Sequence, residues 1–258
     1  MLYAIKFAVF AVATIVLSLL TAMIGVFERH GKLAYQINRF WTWIVLRAGG
    51  VTLKVDGLDN LDARRPYIFM VNHQSNLDIP VMVQSLKDFQ LRWIAKRELL
   101  WVPFFGWAMW ATKHVIVDRG DRSGALGTLK RAQERIAGGI SVVVFPEGTR
   151  SLDGRLQPFK RGGFLLAVKS KTPIVAVTIN NSGRILPKGD WRVRRGTITV
   201  TISAPISTQD YRPGSVRALC AEVEQLIAKN LRPFDPAERQ AGKERGISEP
   251  STLEERSI

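Results

Sequence analysis

The chain has 258 residues, with 37 Lys and Arg against 22 Asp and Glu, for a formal net charge of +15. At 46% hydrophobic and 23% charged residues it is too apolar for a disordered chain and long enough for a sizeable core in one domain or two, so the excess charge belongs on a folded surface that seeks anions. One cysteine, Cys220, excludes an internal disulfide framework and a cysteine-based zinc site, and three histidines (His30, His73, His114) argue against a His-rich metal centre.

The first element is Phe7 to Phe27, a run without a single charged residue. At about 1.5 Å rise per residue such a helix matches a hydrocarbon core of about 30 Å. It is longer than the apolar part of a secretory signal and lacks a clear small-residue cleavage site after it, so it is expected to persist as a membrane segment. A second apolar stretch, Ile37 to Leu46, centres on Trp41 and Trp43. Ten residues are too few to span, and tryptophans favour headgroup depth, so this stretch is predicted to lie in the interface or re-enter the same leaflet against the first helix.

From Gly49 onward, short apolar runs alternate with helical stretches, as in an α/β domain. Strands are predicted at Val51 to Val55, Tyr67 to Val71, His114 to Val117, Ser141 to Phe145, Ile174 to Ile179 and Thr197 to Ile202, and helices at Ile79 to Leu86, Arg122 to Ala137, Gly162 to Ser170 and Gly214 to Asn230. Cys220 falls inside the last helix among apolar neighbours, where it reads as a packing residue. From Asp235 six acids and four bases in 24 residues, with almost no large apolar side chains, indicate a solvated tail of net charge −2, leaving +17 on the body. The expected organisation is a membrane-embedded two-helix segment (1–47), an α/β domain with a mostly parallel mixed sheet flanked by helices (48–234), and a disordered tail (235–258).

Two strand ends concentrate the chemistry. Tyr67 to Val71 runs into Asn72-His73-Gln74-Ser75-Asn76-Leu77-Asp78, and the strand ending at Phe145 runs into Pro146-Glu147-Gly148-Thr149-Arg150-Ser151; open α/β sheets bind ligands at such carboxyl ends. His73 and Asp78 are five residues apart, about 140° around a continuous helix, so they meet only across a turn. Pro80 places the helix start near Asp78 and leaves His73 on the loop. The pair then reads either as a general base oriented by a carboxylate or as a helix cap beside a loop histidine. No Gly-x-Ser-x-Gly elbow is present, so a base at His73 suits a substrate hydroxyl better than a nucleophilic serine. Gly148 permits close approach to a backbone, and Arg150 offers a planar fork for phosphate. Arg119, after the strand His114 to Val117, points to the same rim; Lys96, Lys160 and Arg161 are further candidates, the last two just ahead of a helix start.

These residues resemble the glycerolipid acyltransferases, most closely the 1-acyl-sn-glycerol-3-phosphate acyltransferases, which make phosphatidic acid. Asn72 to Asp78 resembles the family's His-x4-Asp block and Phe145 to Ser151 its Pro-Glu-Gly-Thr-Arg block. Lys96 to Gly106 together with Val115 to Arg119 is similar to the segment between them, and Thr172 to Val177 to a fourth block, so that the likeness covers roughly residues 65 to 180. Two positions depart from the pattern: Lys113 stands where a small residue is common, and Ala176 where a second proline often occurs. The resemblance implies that His73 is the catalytic base and Asp78 its partner, with Arg119, Glu147, Gly148 and Arg150 shaping the acceptor phosphate site; Thr149 and Lys96 stand beside them as further candidates for substrate binding.

The activity implied by the resemblance is transfer of an acyl group from acyl-CoA or acyl carrier protein to lysophosphatidic acid, with no tightly bound cofactor and no metal. A related acceptor, glycerol 3-phosphate or a lyso amino-acid lipid, is the nearer alternative. A membrane-anchored module for anionic lipid or nucleic acid is a distant one, since no aromatic-rich basic stripe exists beyond Trp191 to Arg195. The expected location is the inner cell membrane with the catalytic domain on the cytoplasmic face, where thioester donors occur; no nucleic-acid partner is expected.

Overall fold

The computed structural model describes residues 2–28, 30–117 and 122–234. Arg119 and the tail from Asp235 therefore lie outside the described residues.

Helix α1 covers Leu2–Phe27 and α2 covers Lys32–Gly49. The strands are β1 (Val51–Asp56), β2 (Ile68–Val71), β3 (Leu91–Lys96), β4 (Val115–Val117), β5 (Ser141–Val144), β6 (Ile174–Asn180) and β7 (Gly196–Ile202). The remaining helices are α3 (Asp78–Ser85), α4 (Phe105–Ala111), α5 (Arg122–Ala137), α6 (Gly162–Ser170), α7 (Ser182–Ile185) and α8 (Val216–Asn230). The seven strands form one sheet in the order β1-β7-β6-β2-β5-β3-β4. Among the described residues only the β6–β7 strand pair is antiparallel, so β6, β2, β5, β3 and β4 end at one edge. The mixed, mostly parallel sheet is the expected one.

Strand β2 is buried on both faces, yet its side chains still alternate. Phe69 and Val71 join one core with Val81 and Met82 of α3, Leu86 just after it, and Tyr35 and Leu46 of α2. Ile68 and Met70 join the other with Ala132 of α5, Phe164 and Ala167 of α6, and Leu219, Val223 and Ile227 of α8. Half-buried Cys220 packs against this second core, as its apolar neighbours suggested.

Besides the four-residue α7, three features depart from the sequence expectation. Strand β3 was not foreseen because Arg92 and Lys96 interrupt its apolar pattern, and α4 was not foreseen because it is a short, aromatic-rich helix. Helix α2 runs 18 residues rather than ten. It starts at Lys32 because Gly31, with φ +65°, turns the chain and the Glu28 carboxylate accepts hydrogen bonds from the free amides of Leu33 (2.7 Å) and Ala34 (3.0 Å). One face of α2 is part of the domain core, and Gln84 of α3 donates to Arg39 O and Thr42 Oγ1 on α2. Trp41 of α2 donates to Thr14 Oγ1 on α1 at 3.0 Å, joining the two helices as predicted.

The turn between α1 and α2 is gripped by the sheet domain. Arg92 is fully buried and donates to Gly31 O (2.8 Å), His30 O (3.1 Å) and Leu91 O (2.9 Å), with its guanidinium 5.1 Å from the Tyr35 ring centre. Burial lowers its pKa to about 10, so it remains a cation at neutral pH. Lys113, the residue that departs from the family pattern, donates to Gly25 O near the carboxyl end of α1 (3.2 Å) and sits 4.0 Å from the Trp110 ring centre. A side chain on Gly25 would collide with Ala111 of α4, so the missing Cβ lets the two helices meet.

Candidate active site

The two motif loops leave neighbouring parallel strands at the same edge. Met70 of β2 pairs with Val144 of β5, and His73 and Glu147 each stand three residues further on. The edge is pinned first by Asn72, whose side chain donates to Ile179 O (2.9 Å) and accepts from Ile179 N (2.7 Å), tying the end of β2 to β6.

Beyond Asn72 the chain turns back so that Asp78, the first residue of α3, faces the loop. Its Oδ2 accepts three hydrogen bonds of 2.8 Å, from Gln74 N, Ser75 N and His73 Nδ1. The tautomer follows from this network, because an acceptor oxygen requires the proton on Nδ1. The Nε2 lone pair is then free for an external proton. Of the two readings left open by the spacing the geometry is that of the oriented histidine: Leu77 rather than Asp78 is the N-cap of α3, and Asp78 Oδ2 organises the amides of the preceding loop while orienting the imidazole. Asp78 is fully buried and the His73 side chain is 16% exposed, so the ring is presented at the surface from a shielded partner. Ser75 does not approach as a nucleophile, because its hydroxyl donates to Leu186 O at 2.7 Å.

The second loop fixes His73 from the other side. The Phe145 ring stacks on the imidazole with centroids 3.9 Å apart and planes 13° from parallel. The backbone of His73 is held at both polar atoms: His73 N donates to Glu147 Oε1 (2.7 Å), and His73 O accepts from Ser151 N (2.8 Å). Glu147 is 3% exposed, and its other oxygen accepts from Gln157 N at 2.9 Å. Burial raises its pKa to about 7 despite the two amide donors, which pull in the opposite direction. Its two oxygens face backbone amides, so its geometry is that of a brace between loops rather than of a phosphate contact. The bracing by Phe145 and by the Ser151 and Gln157 amides escaped the sequence reading; Phe145 and Ser151 stood in the quoted motif, whereas Gln157 N, a backbone donor, leaves no trace in residue type.

Gly148 has φ +70°, the left-handed conformation that favours glycine, and lies against the flexible end of the Lys160 side chain, 3.0 Å from where a Cβ would stand. Thr149 is exposed and Arg150 half-buried on the same loop, while Lys160 and Arg161 are exposed ahead of α6. Lys96 is exposed at the end of β3, beyond β5 on the same edge and level in register with Pro146. The described candidates thus share one edge, with His73 and Asp78 in contact and Lys96 at its far side. The back of the site is closed by Phe234, buried between Gly154 and Gly183, and by Gln74, which donates to Gly154 O at 3.3 Å. Among the described residues no group of three or more His, Cys, Asp or Glu is placed to hold a metal ion.

The arrangement is that of an oriented, partly exposed histidine at a sheet edge that also carries cationic side chains, and comparison with known proteins agrees with it. The family model described as Acyltransferase matches residues 52–180, which include both loops. A 1-acyl-sn-glycerol-3-phosphate acyltransferase from Pseudomonas aeruginosa is 32% identical over 203 residues, covering 78% of this chain and 77% of that one. One from Chlamydomonas reinhardtii is 29% identical over 222 residues, covering 85% of this chain but 65% of the relative's length. The crystal structure of the 1-acyl-sn-glycerophosphate (LPA) acyltransferase from Thermotoga maritima superposes with a TM-score of 0.67 over 97% of each chain at 23% identity, which is a likeness of fold. On the matched half of its length, and on its identity to these relatives, the chain belongs to the acyltransferase family.

Proposed function

We propose that the protein transfers a fatty acyl group from an acyl thioester to the sn-2 hydroxyl of 1-acyl-glycerol 3-phosphate, giving phosphatidic acid. The observation that carries this reading is the His73–Asp78 pair, with Nδ1 engaged, Nε2 free, and the ring placed at the carboxyl edge of the sheet. Relatives acting on this acceptor by name support the choice of substrate.

In the proposed reaction His73 Nε2 takes the proton from the acceptor hydroxyl as that oxygen attacks the thioester carbonyl. Asp78 holds the tautomer and stabilises the imidazolium that forms. The tetrahedral oxyanion is stabilised by nearby donors, and its collapse expels a thiolate that recovers the proton from the imidazolium. The thioester is already activated, so this sequence needs no tightly bound cofactor. Arg150, together with Arg119 from the Val-Asp-Arg segment, is assigned to the acceptor phosphate, with Gly148, Thr149 and Lys96 completing the substrate rim; Glu147 contributes by holding the His73 loop. The anionic donor, acyl-CoA or acyl carrier protein, suits the basic body.

Helix α1 contains an 18-residue window, Phe10–Phe27, long and apolar enough to cross a membrane. With α2 it is assigned to the inner membrane, the catalytic domain facing the cytoplasm that supplies thioesters. Incubating the purified protein in detergent with acyl-CoA and a panel of acceptors tests the reading. Phosphatidic acid from lysophosphatidic acid is expected as the dominant product; preferential acylation of glycerol 3-phosphate or of a lyso amino-acid lipid would overturn it.

A further inference from the structure

Among the described residues of the sheet domain, exposed apolar side chains are densest in the segment that follows β3. Its 3-10 turn, Arg97–Trp101, begins where β3 ends, on the same sheet edge as His73 and Glu147. Trp101 is 81% exposed, Val102 and Leu99 are also exposed, and α4 adds exposed Trp107 and Trp110. Single exposed apolar residues are ordinary, but five in twelve positions, three of them tryptophan, mark a surface that meets something other than water.

The surface is continuous with α1. Ala22, Met23 and Val26 of α1 and Trp107 and Trp110 of α4 together line an apolar groove of about 350 Å³. Met23, Val26 and Phe27 are themselves exposed along that side. The backbone between turn and helix is strained: Phe104, after Pro103, has φ +63°, a conformation avoided by residues with a Cβ. Such strain persists where the surroundings enforce it. Here Phe104 packs edge-on against Trp107, with ring centroids 5.2 Å apart, leaving Trp101 and Val102 outside. The start of the segment is basic, with Lys96 and Arg97 exposed.

From the exposed tryptophans, the basic fringe and the continuity with α1, we propose that Leu99 to Trp110 is a second membrane-inserting element, which enters the bilayer beside α1 and turns the active-site edge toward the lipid. Tryptophan favours the headgroup level, cations beside it meet anionic headgroups, and α1 supplies the adjoining apolar wall. The joined pair α1 and α2 sets the depth of the domain; a further contact on the edge that carries His73 also fixes the tilt of that edge. The proposal rests on α1 lying in the membrane but not on the identity of the acyl acceptor.

The test uses the full chain with Cys220→Ala, reconstituted in vesicles of phosphatidylcholine and phosphatidylglycerol. A single cysteine carrying an environment-sensitive fluorophore is placed in turn at Trp101→Cys, Val12→Cys on exposed α1, and Asp210→Cys, an exposed position beyond β7 on the opposite sheet edge. Nitroxide-labelled lipid should quench about half or more of the emission at positions 101 and 12 and leave 210 unchanged, as expected for probes at and below headgroup depth. Quenching at 12 with none at 101 would overturn the proposal while sparing the α1 anchor. Quenching at neither would overturn both. A blue-shifted signal at 101 without lipid quenching would place a second protein copy on this face and overturn it as well.

Discussion

The loop that carries His73 and the helix α1 are held by opposite means. Every polar atom of the His73 backbone and its ring nitrogen Nδ1 has a partner, and those partners come from residues 78, 147 and 151 at 2.7 to 2.8 Å. Helix α1 is gripped near its carboxyl end, by Lys113 and by Arg92 at the turn beyond it, while Val12, Val16 and Met23 along its length stay exposed. Buried polar bonds impose direction, whereas apolar burial does not. The catalytic loop therefore carries its precision within the protein, and α1 leaves its long apolar face to be covered by lipid, which supplies depth without orientation. The elbow at Arg92 and Lys113 is where one kind of constraint is converted into the other.

Breaking the loop side of this contrast should cost most. His73→Ala should lower acyl transfer by about 10²- to 10⁴-fold, the usual contribution of a general base, with circular dichroism unchanged. A variant keeping more than about a tenth of the rate would refute the role of His73. Breaking the α1 side should instead separate two substrates. Deleting residues 1 to 27 should reduce activity on a bilayer-embedded acceptor on the order of 10²-fold, the scale on which a tether raises effective concentration, while a short-chain soluble acceptor is still used. Equal retention of both activities would make α1 dispensable for placing the site.

Smaller effects sharpen the comparison. Arg150→Ala should raise the KM for lysophosphatidate by about 10- to 150-fold, the worth of a lost charge-assisted hydrogen bond, and narrow the preference over monoacylglycerol. Arg150→Lys should restore only part of this, because the planar fork is missing. Glu147 gives an effect of another kind, a change in stability with pH. Its folded pKa of about 7 lies above the usual 4.5 for the side chain, so between those values the folded state binds more protons than the unfolded one. Stability contributed by this group is present at low pH and falls as pH rises from about 4.5 to about 7. Chemical denaturation across that range should show the decline, and Glu147→Gln, although weaker overall because one amide loses its acceptor, should show a flatter profile. Identical slopes would remove Glu147 as its source.

Much of the catalytic edge was legible beforehand, for local reasons. The five-residue spacing of His73 and Asp78 with Pro80 behind them requires a turn closed by a helix start, and the observed loop and α3 have that form. The apolar run of β5 followed by Pro-Glu-Gly-Thr-Arg likewise places its loop at a strand end. The predicted helices agree with α3, α5, α6 and α8 to within two residues. Glu147 was less legible: its acidic side chain beside Arg150 reads as substrate chemistry, and only the proximity of His73 N and Gln157 N reveals the brace.

By itself, then, the sequence determined what is local and repetitive: an apolar helix of bilayer length, strands and helices from hydrophobic period, and two strand-end loops whose residue types suit a base and an anion. Tertiary structure alone decided what depends on distant chain segments meeting. The guanidinium of Arg92, which hid β3 in the apolar pattern, finds its acceptors at His30 and Gly31, and Lys113, an unexplained departure in the sequence, finds its own at Gly25. A burial pattern records whether a side chain leaves water, but a buried polar atom can be satisfied by any partner that the fold delivers, and that partner's position along the chain is set by topology rather than by neighbouring residues.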